Sequence, residues 1–148
     1  MKEVTARIEI RSSPEKVWKI LTDFQLYKYW NPFIIEIAGS PMMGEKIEIQ
    51  LRTAAQKTRI YHPVITKVDP PTELRWYGKA ILPFILDGEH IFTIQENEQY
   101  NTVFTQKEIF KGLGAHLGNT SMFDDIRISF QMMNSSLKSR AESNKGQT

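Results

Sequence analysis

The stretch TSMFDDIRISFQMMNSSLKSRA, residues 120–141, decides the fold. Phe123, Ile126, Phe130, Met133 and Leu137 recur at spacings of three and four, a continuous apolar stripe at the helical period. Asp124 and Asp125 lie early in it and Lys138 and Arg140 late, as the helix dipole favours. A helix of ~20 residues is ~30 Å long, enough to cross a whole sheet. What it lies against must come from the residues before it.

Reading backwards, residues 33–112 are strand after strand. The pattern predicts strands near 33–39, 45–52, 58–68, 73–80, 86–95 and 100–111, separated by the turn signals GSPMMGE, DPPTE and ENEQYN. Connections this short suit an antiparallel meander, because parallel strands need a long crossover. At the start of the chain Val4, Ala6, Ile8 and Ile10 alternate with Thr5, Arg7 and Glu9, the period of a half-buried strand. A helix follows: Ser13 is its predicted cap, Pro14 suits the first turn and Glu15 the dipole, while Val17, Trp18, Leu21 and Phe24 make its apolar stripe. After it LTDFQLYKYWNPF, residues 21–33, is too aromatic for a solvated loop, and Pro32 ends any continuous helix. The class is α+β, a curved antiparallel seven-stranded sheet wrapped round one long C-terminal helix.

The totals agree with a single domain over residues 1–141 and a polar tail over 142–148. Hydrophobic residues make up 41% and charged residues 24%, the balance of a folded domain with its own core. The absence of cysteine excludes disulfides and thiol chemistry. No signal peptide and no run of ~18 apolar residues is seen, so the expected location is cytoplasmic. A net charge of +2 is too small to imply nucleic acid. His62, His90 and His116 have no metal-ligand spacing, no G-x-S-x-G elbow is present, and GLGAHLG (112–118) has the wrong spacing for a dinucleotide loop. No metal and no cofactor is expected, and monomer and weak dimer are both left open.

In a meander the turns fall at alternate ends of the sheet. The turns at 40–44, 69–72 and 96–99 share one end and are polar. The connections at 53–57, 81–85 and 112–119 share the other, and ILPFI and GLGAHLGN there are apolar or glycine-rich. They read either as buried strand or as an apolar rim round an opening, with Gly112, Gly114 and Gly118 allowing it to flex. Where a curved sheet and a helix diverge, a concave, mostly apolar pocket is natural.

Three polar residues are predicted to face that interior. His90 shares a strand face with Phe92 and Ile94, and Gln106 and Glu108 share one with Phe104 and Phe110. Leu74 and Trp76 line the interior too, while Glu89 points outward. His90 and Glu108 are the candidate catalytic pair; the carboxylate is expected to raise the imidazole pKa. The alternative is that these groups only satisfy one another.

The segments SSPEKVWKILTDFQLYKYWNPF, VDPPTELRWYG and LDGEHIFTIQ, followed by the final helix, resemble the START-like (SRPBCC) polyketide cyclase/dehydrase and lipid-transport superfamily, whose helix-grip fold is shared with the birch-pollen allergen. The resemblance runs from about Val4 to Arg140. It implies two short helices after strand 1, supporting the long helix, with Tyr27, Tyr29, Trp30 and Phe33 either closing one end of a cavity or cushioning that helix. The expected function is binding of an apolar or amphipathic small molecule, lipid or polyketide-like. Its contacts are expected from Tyr27, Trp30, Phe33, Leu74, Trp76, His90, Phe92, Phe104, Gln106, Glu108, Phe110, Phe123, Ile126 and Phe130. The alternatives are a cyclase/aromatase or dehydratase using His90 and Glu108 as acid and base, and a co-chaperone-like interaction domain. A non-enzymatic binding protein is the first expectation.

Overall fold

A computed structural model of the chain describes residues 2–79, 87–112 and 120–143. In chain order the elements are β1 (Lys2–Ile10), α1 (Pro14–Thr22), a 3-10 turn (Phe24–Leu26), α2 (Tyr27–Trp30), β2 (Ile34–Ala38), β3 (Glu48–Arg52), β4 (Thr58–Tyr61), β5 (Val64–Asp69), β6 (Glu73–Gly78), β7 (Asp87–Glu96), β8 (Thr102–Lys111) and α3 (Thr120–Glu142). The rim segments 80–86 and 113–119, with Gly114, His116 and Gly118, and the tail from 144 lie outside the described residues.

The strands are all antiparallel and form a five-stranded sheet, β1-β8-β7-β6-β5, and a three-stranded sheet, β2-β3-β4. The predicted seven strands are therefore eight. The predicted strand 58–68 breaks at His62-Pro63, because proline has no N–H for the ladder. The register nevertheless runs on across the break: Ile49 faces Tyr61 in the ladder and Lys46 faces Val64 as an isolated bridge. Ile47 N donates to Pro63 O and Ile65 N to Glu45 O, both at 2.9 Å. The two sheets are one surface folded at the proline.

Helix α1 starts as its sequence dictates, with Lys16 N donating to Ser13 Oγ at 3.2 Å and Pro14 in the first turn. Val17 and Leu21 are buried and Trp18 is partly so. The aromatic segment after it is a bracket. Phe24 and Tyr27 are buried, the Tyr27 hydroxyl donates to Leu21 O, and Asn31 Oδ1 accepts from Phe33 N and Ile34 N at 3.0 and 2.9 Å. That Asx turn swings the chain past Pro32 into β2. Tyr29 departs from expectation: it is 71% exposed, because α2 turns that side away from the core.

Helix α3 runs against β1 and buries the predicted stripe, Phe123, Ile126, Phe130, Met133 and Leu137, together with Ser129, Asn134 and Ala141. Ser136 Oγ donates to the Trp30 carbonyl at 2.5 Å, so the bracket holds the helix. The β3–β4 turn is strapped to α3 from the other side. Ala54 N donates to Ser129 Oγ at 2.8 Å and Ala55 N to Asp125 Oδ1 at 2.7 Å. Ser129→Ala is expected to cost about 1 kcal/mol by removing this bond and the Ser129 bond to Asp125 O. Amide exchange at Ala54 should quicken in that variant; unchanged exchange would mean the strap is idle.

Candidate functional site

The site is built from rows of inward side chains crossing the five-stranded sheet. In one row Ile65, Trp76, His90, Glu108 and Val4 face each other in register; in the next stand Val68, Leu74, Phe92, Gln106 and Ala6. Strand alternation puts both rows on the helix side, and all but Val68 are buried. Phe130 and Asn134 of α3 come down onto them.

The wall is aromatic. The His90 ring stacks on Phe92 at 4.3 Å and also meets Trp76 at 5.3 Å and Phe130 at 5.1 Å. Phe33 packs on Phe130 at 5.5 Å, and Phe92 on Phe104 at 6.0 Å. Trp76 continues through Phe24 and Tyr27 to Trp30, which is half-buried at the edge. Phe110 and Phe123 pair with each other at 5.4 Å nearer the start of α3, and Ile126 and Leu74 complete the apolar lining. The predicted contact residues thus share one core, with Phe110 and Phe123 in a separate ring pair.

Within this wall runs a hydrogen-bonded chain whose orientation is fixed from one end. The Phe130 carbonyl can only accept, so the Gln106 group 3.3 Å from it is the amide nitrogen. The same Nε2 donates to Asn134 Oδ1 at 2.7 Å, and Gln106 Oε1 is left to accept from His90 Nε2 at 3.0 Å. His90 therefore carries its proton on Nε2. Its Nδ1 faces Glu108 Oε2 across 3.8 Å, beyond hydrogen-bond reach. Five buried side-chain atoms have no partner among the described residues: Trp76 Nε1, Asn134 Nδ2 and Glu108 Oε2 in this wall, and Trp30 Nε1 and Asn31 Nδ2 in the bracket.

The expected electrostatics are reversed. Glu108 does not raise the His90 pKa; burial lowers it to about 3, the Gln106 bond opposing only in part. Burial, helped by the Glu89 charge, pushes the Glu108 carboxyl well above the usual carboxylate range. Both shifts favour the uncharged form, so burial disposes the two side by side as a base and an acid rather than an ion pair. Glu89 faces outward as expected, 3.8 Å from Arg75.

Two residues of the site were not singled out from the sequence. Tyr61 of β4 is buried near Glu108, and burial followed by that carboxyl pushes its phenol up. The Trp76 indole lies close enough to the phenol to oppose that shift in part, without completing a hydrogen bond to it. The strand that carries Tyr61, TRIY, hides the signal, because the apolar Ile60 points outward and is 61% exposed. Asn134 had a readable signal: a polar residue four after Phe130, on the apolar stripe.

The whole arrangement, a bent antiparallel sheet gripping a long C-terminal helix over a mixed aromatic and polar interior, matches a family model described as polyketide cyclase / dehydrase and lipid transport over residues 1–142. The chain belongs to this family. The polyketide cyclase / dehydrase and lipid transport fold is borne out in solved structures too. The Aha1 dimer from Colwellia psychrerythraea aligns with a TM-score of 0.71 at 22% identity over 100% of both chains. A START superfamily protein from Mycobacterium smegmatis aligns at 0.72 and 15%, over 95% of this chain and 97% of its own. A hypothetical protein from Helicobacter pylori aligns at 0.76 and 12%, over 95% and 88%. At these identities the likeness is one of fold. No curated protein matches the chain. Among the described residues no side-chain cluster is arranged to hold a metal, and no helix is long and apolar enough to cross a membrane.

Proposed function

We propose that this protein binds an apolar or amphipathic small molecule, lipid-like or polyketide-like, between the sheet and α3. The observation that carries this reading is the row of polar side chains inside an aromatic wall. A core needs no such row, and leaving a buried polar group unpaired costs about 1–3 kcal/mol each. Trp76, Asn134 and Glu108 each leave one such atom unpaired here. A ligand with a polar end would satisfy them while its apolar body covers the surrounding rings. Membership in a family described by polyketide cyclisation, dehydration and lipid transport supports the same reading.

Nile red, a neutral apolar dye, should bind saturably, and Ile126→Trp, which adds bulk between helix and sheet, should abolish the saturable phase while leaving the fold intact by circular dichroism. Dye uptake that never saturates in the wild-type protein would sink the reading.

Acid–base catalysis is the second reading, favoured by one observation: an imidazole and a carboxyl held 3.8 Å apart in a dry site, where burial favours the uncharged form of each. His90→Gln separates the two. In a carrier, ligand affinity should change by less than about threefold, since the imidazole contributes one polar contact. In an enzyme, turnover of a bound polyketone should fall by about two to four orders of magnitude.

A further inference from the structure

Helix α3 has a second face, turned away from the sheet. Along it Ile128, Gln131, Met132, Ser135 and Ser139 are exposed, Ile128 by 48% and Met132 by 39%. Spacings of three and four make them one stripe, on the side opposite the buried one. From Ile128 to Leu137 the helix carries no charged residue, although 24% of the chain is charged. A helix face that meets only water ordinarily carries charged side chains. Beside the stripe runs a groove of about 520 Å³, lined by Pro32 together with the stripe residues and Ser136. Its serines are small, so another helix can come close.

The charges at the two ends of the stripe say what fits it. Asp124, at the N-terminal end, has its side chain 62% exposed and held by Arg127 at 2.8 Å. Lys138, at the C-terminal end and on the same flank, is 34% exposed and held by Glu142 at 2.6 Å. Ile128, Gln131, Met132 and Ser135 are centred between Gln131 and Met132. A two-fold axis at that point sets Gln131 against the partner's Met132 and Ile128 against the partner's Ser135. It also sets Asp124 one residue from the partner's Lys138, so acid meets base, and symmetry makes the same contact twice. Parallel packing would instead bring Asp124 to the partner's Asp124.

We propose that the outer face of α3 is a self-association surface, on which two copies of the chain pack antiparallel about a two-fold axis at Gln131 and Met132. A second copy carries the same uncharged stripe and groove and the opposite charge at each end. The surface lies on the far side of α3 from the polar row, so it stands independently of the binding reading. One helix face per copy buries less than the ~800 Å² per partner of a standard stable interface, so the dissociation constant is expected at about 10–100 μM.

Sedimentation equilibrium of the full-length protein tests this over about 5–500 μM, where the mean mass should rise from one chain towards two. Met132→Glu sets two carboxylates at the axis and should raise the dissociation constant at least about tenfold. The chain has no cysteine, so single cysteine substitutions report proximity directly. Met132→Cys should oxidise readily to a disulfide-linked dimer. Ile128→Cys should not, because antiparallel packing holds its two copies ~10 Å apart along the helices. Met43→Cys, in the exposed β2–β3 turn, is the control for random collision. All these positions are exposed, so each variant should keep the circular dichroism of the parent. A chain that stays monomeric throughout would overturn the proposal and leave the face to a partner of another kind. So would association that Met132→Glu leaves unchanged, or Ile128→Cys linking as readily as Met132→Cys.

Discussion

Gln106→Ala is expected to destabilise the protein by about 3–5 kcal/mol, near the top of the range for a single substitution. Gln106 is fully buried and joins three elements through one amide. It accepts from His90 on β7 and donates to both the Phe130 carbonyl and Asn134 on α3. Removing it leaves an imidazole N–H and an amide oxygen unpaired in a dry aromatic setting, strips the Phe130 carbonyl of its second donor, and opens a cavity beside them. Urea unfolding should show a large fall in midpoint with little change in slope. A loss below about 1 kcal/mol would mean that the chain of bonds across the sheet and helix holds nothing together.

The second large effect is in pH. The folded His90 loses its proton at about 3 and the unfolded one at 6.5. Between those values the unfolded chain binds a proton that the folded chain does not, so stability rises with pH across that window and is lost below it. The full drop is about 4–5 kcal/mol, because each pH unit separating the two values is worth ~1.36 kcal/mol. Glu108 acts with the opposite sign. Its folded carboxyl keeps the proton above the unfolded value of 4.5, so stability falls as pH rises past 4.5, until the folded group ionises too. Above 4.5 the two slopes oppose each other until the folded Glu108 ionises, so the steep rise of stability with pH is confined to the range below 4.5. Chemical denaturation at a series of pH values checks this. His90→Gln should flatten the rise below 4.5, and Glu108→Gln should let the rise continue from 4.5 to 6.5. A profile that both substitutions leave unchanged would mean that neither group is held neutral by the fold.

Much of the fold was legible because it rests on two short periods. The stripe Phe123 to Leu137 is at helical spacing and is buried as one face. The alternation around His90 and Gln106 placed those side chains, with Glu108, inside, and the register then set His90 opposite Glu108. What the pattern could not show was geometry finer than a face. Pro63 breaks the predicted strand 58–68, yet the pairing carries across it, and only the three-dimensional register reveals that. Strand pairing makes the proximity of Glu108 to His90 readable, but not the depth of burial that outweighs it and reverses the expected shift. Tyr61 was hidden for a similar reason: its strand carries an exposed Ile60, so apolar character and inward direction part company there. Asn134 is visible in the sequence as a polar residue within an apolar stripe, a feature that in a long helix facing a sheet points to a partner inside.

The functional reading depends on the packed interior between sheet and helix opening to a small molecule. Native mass spectrometry of the gently purified full-length protein decides this, with organic extraction and identification of whatever is released. A discrete added mass is predicted, belonging to a compound with an apolar body and a polar end, and its removal should lower the melting temperature. A chain that shows only its own mass, and whose melting temperature no apolar or amphipathic compound raises, would refute it.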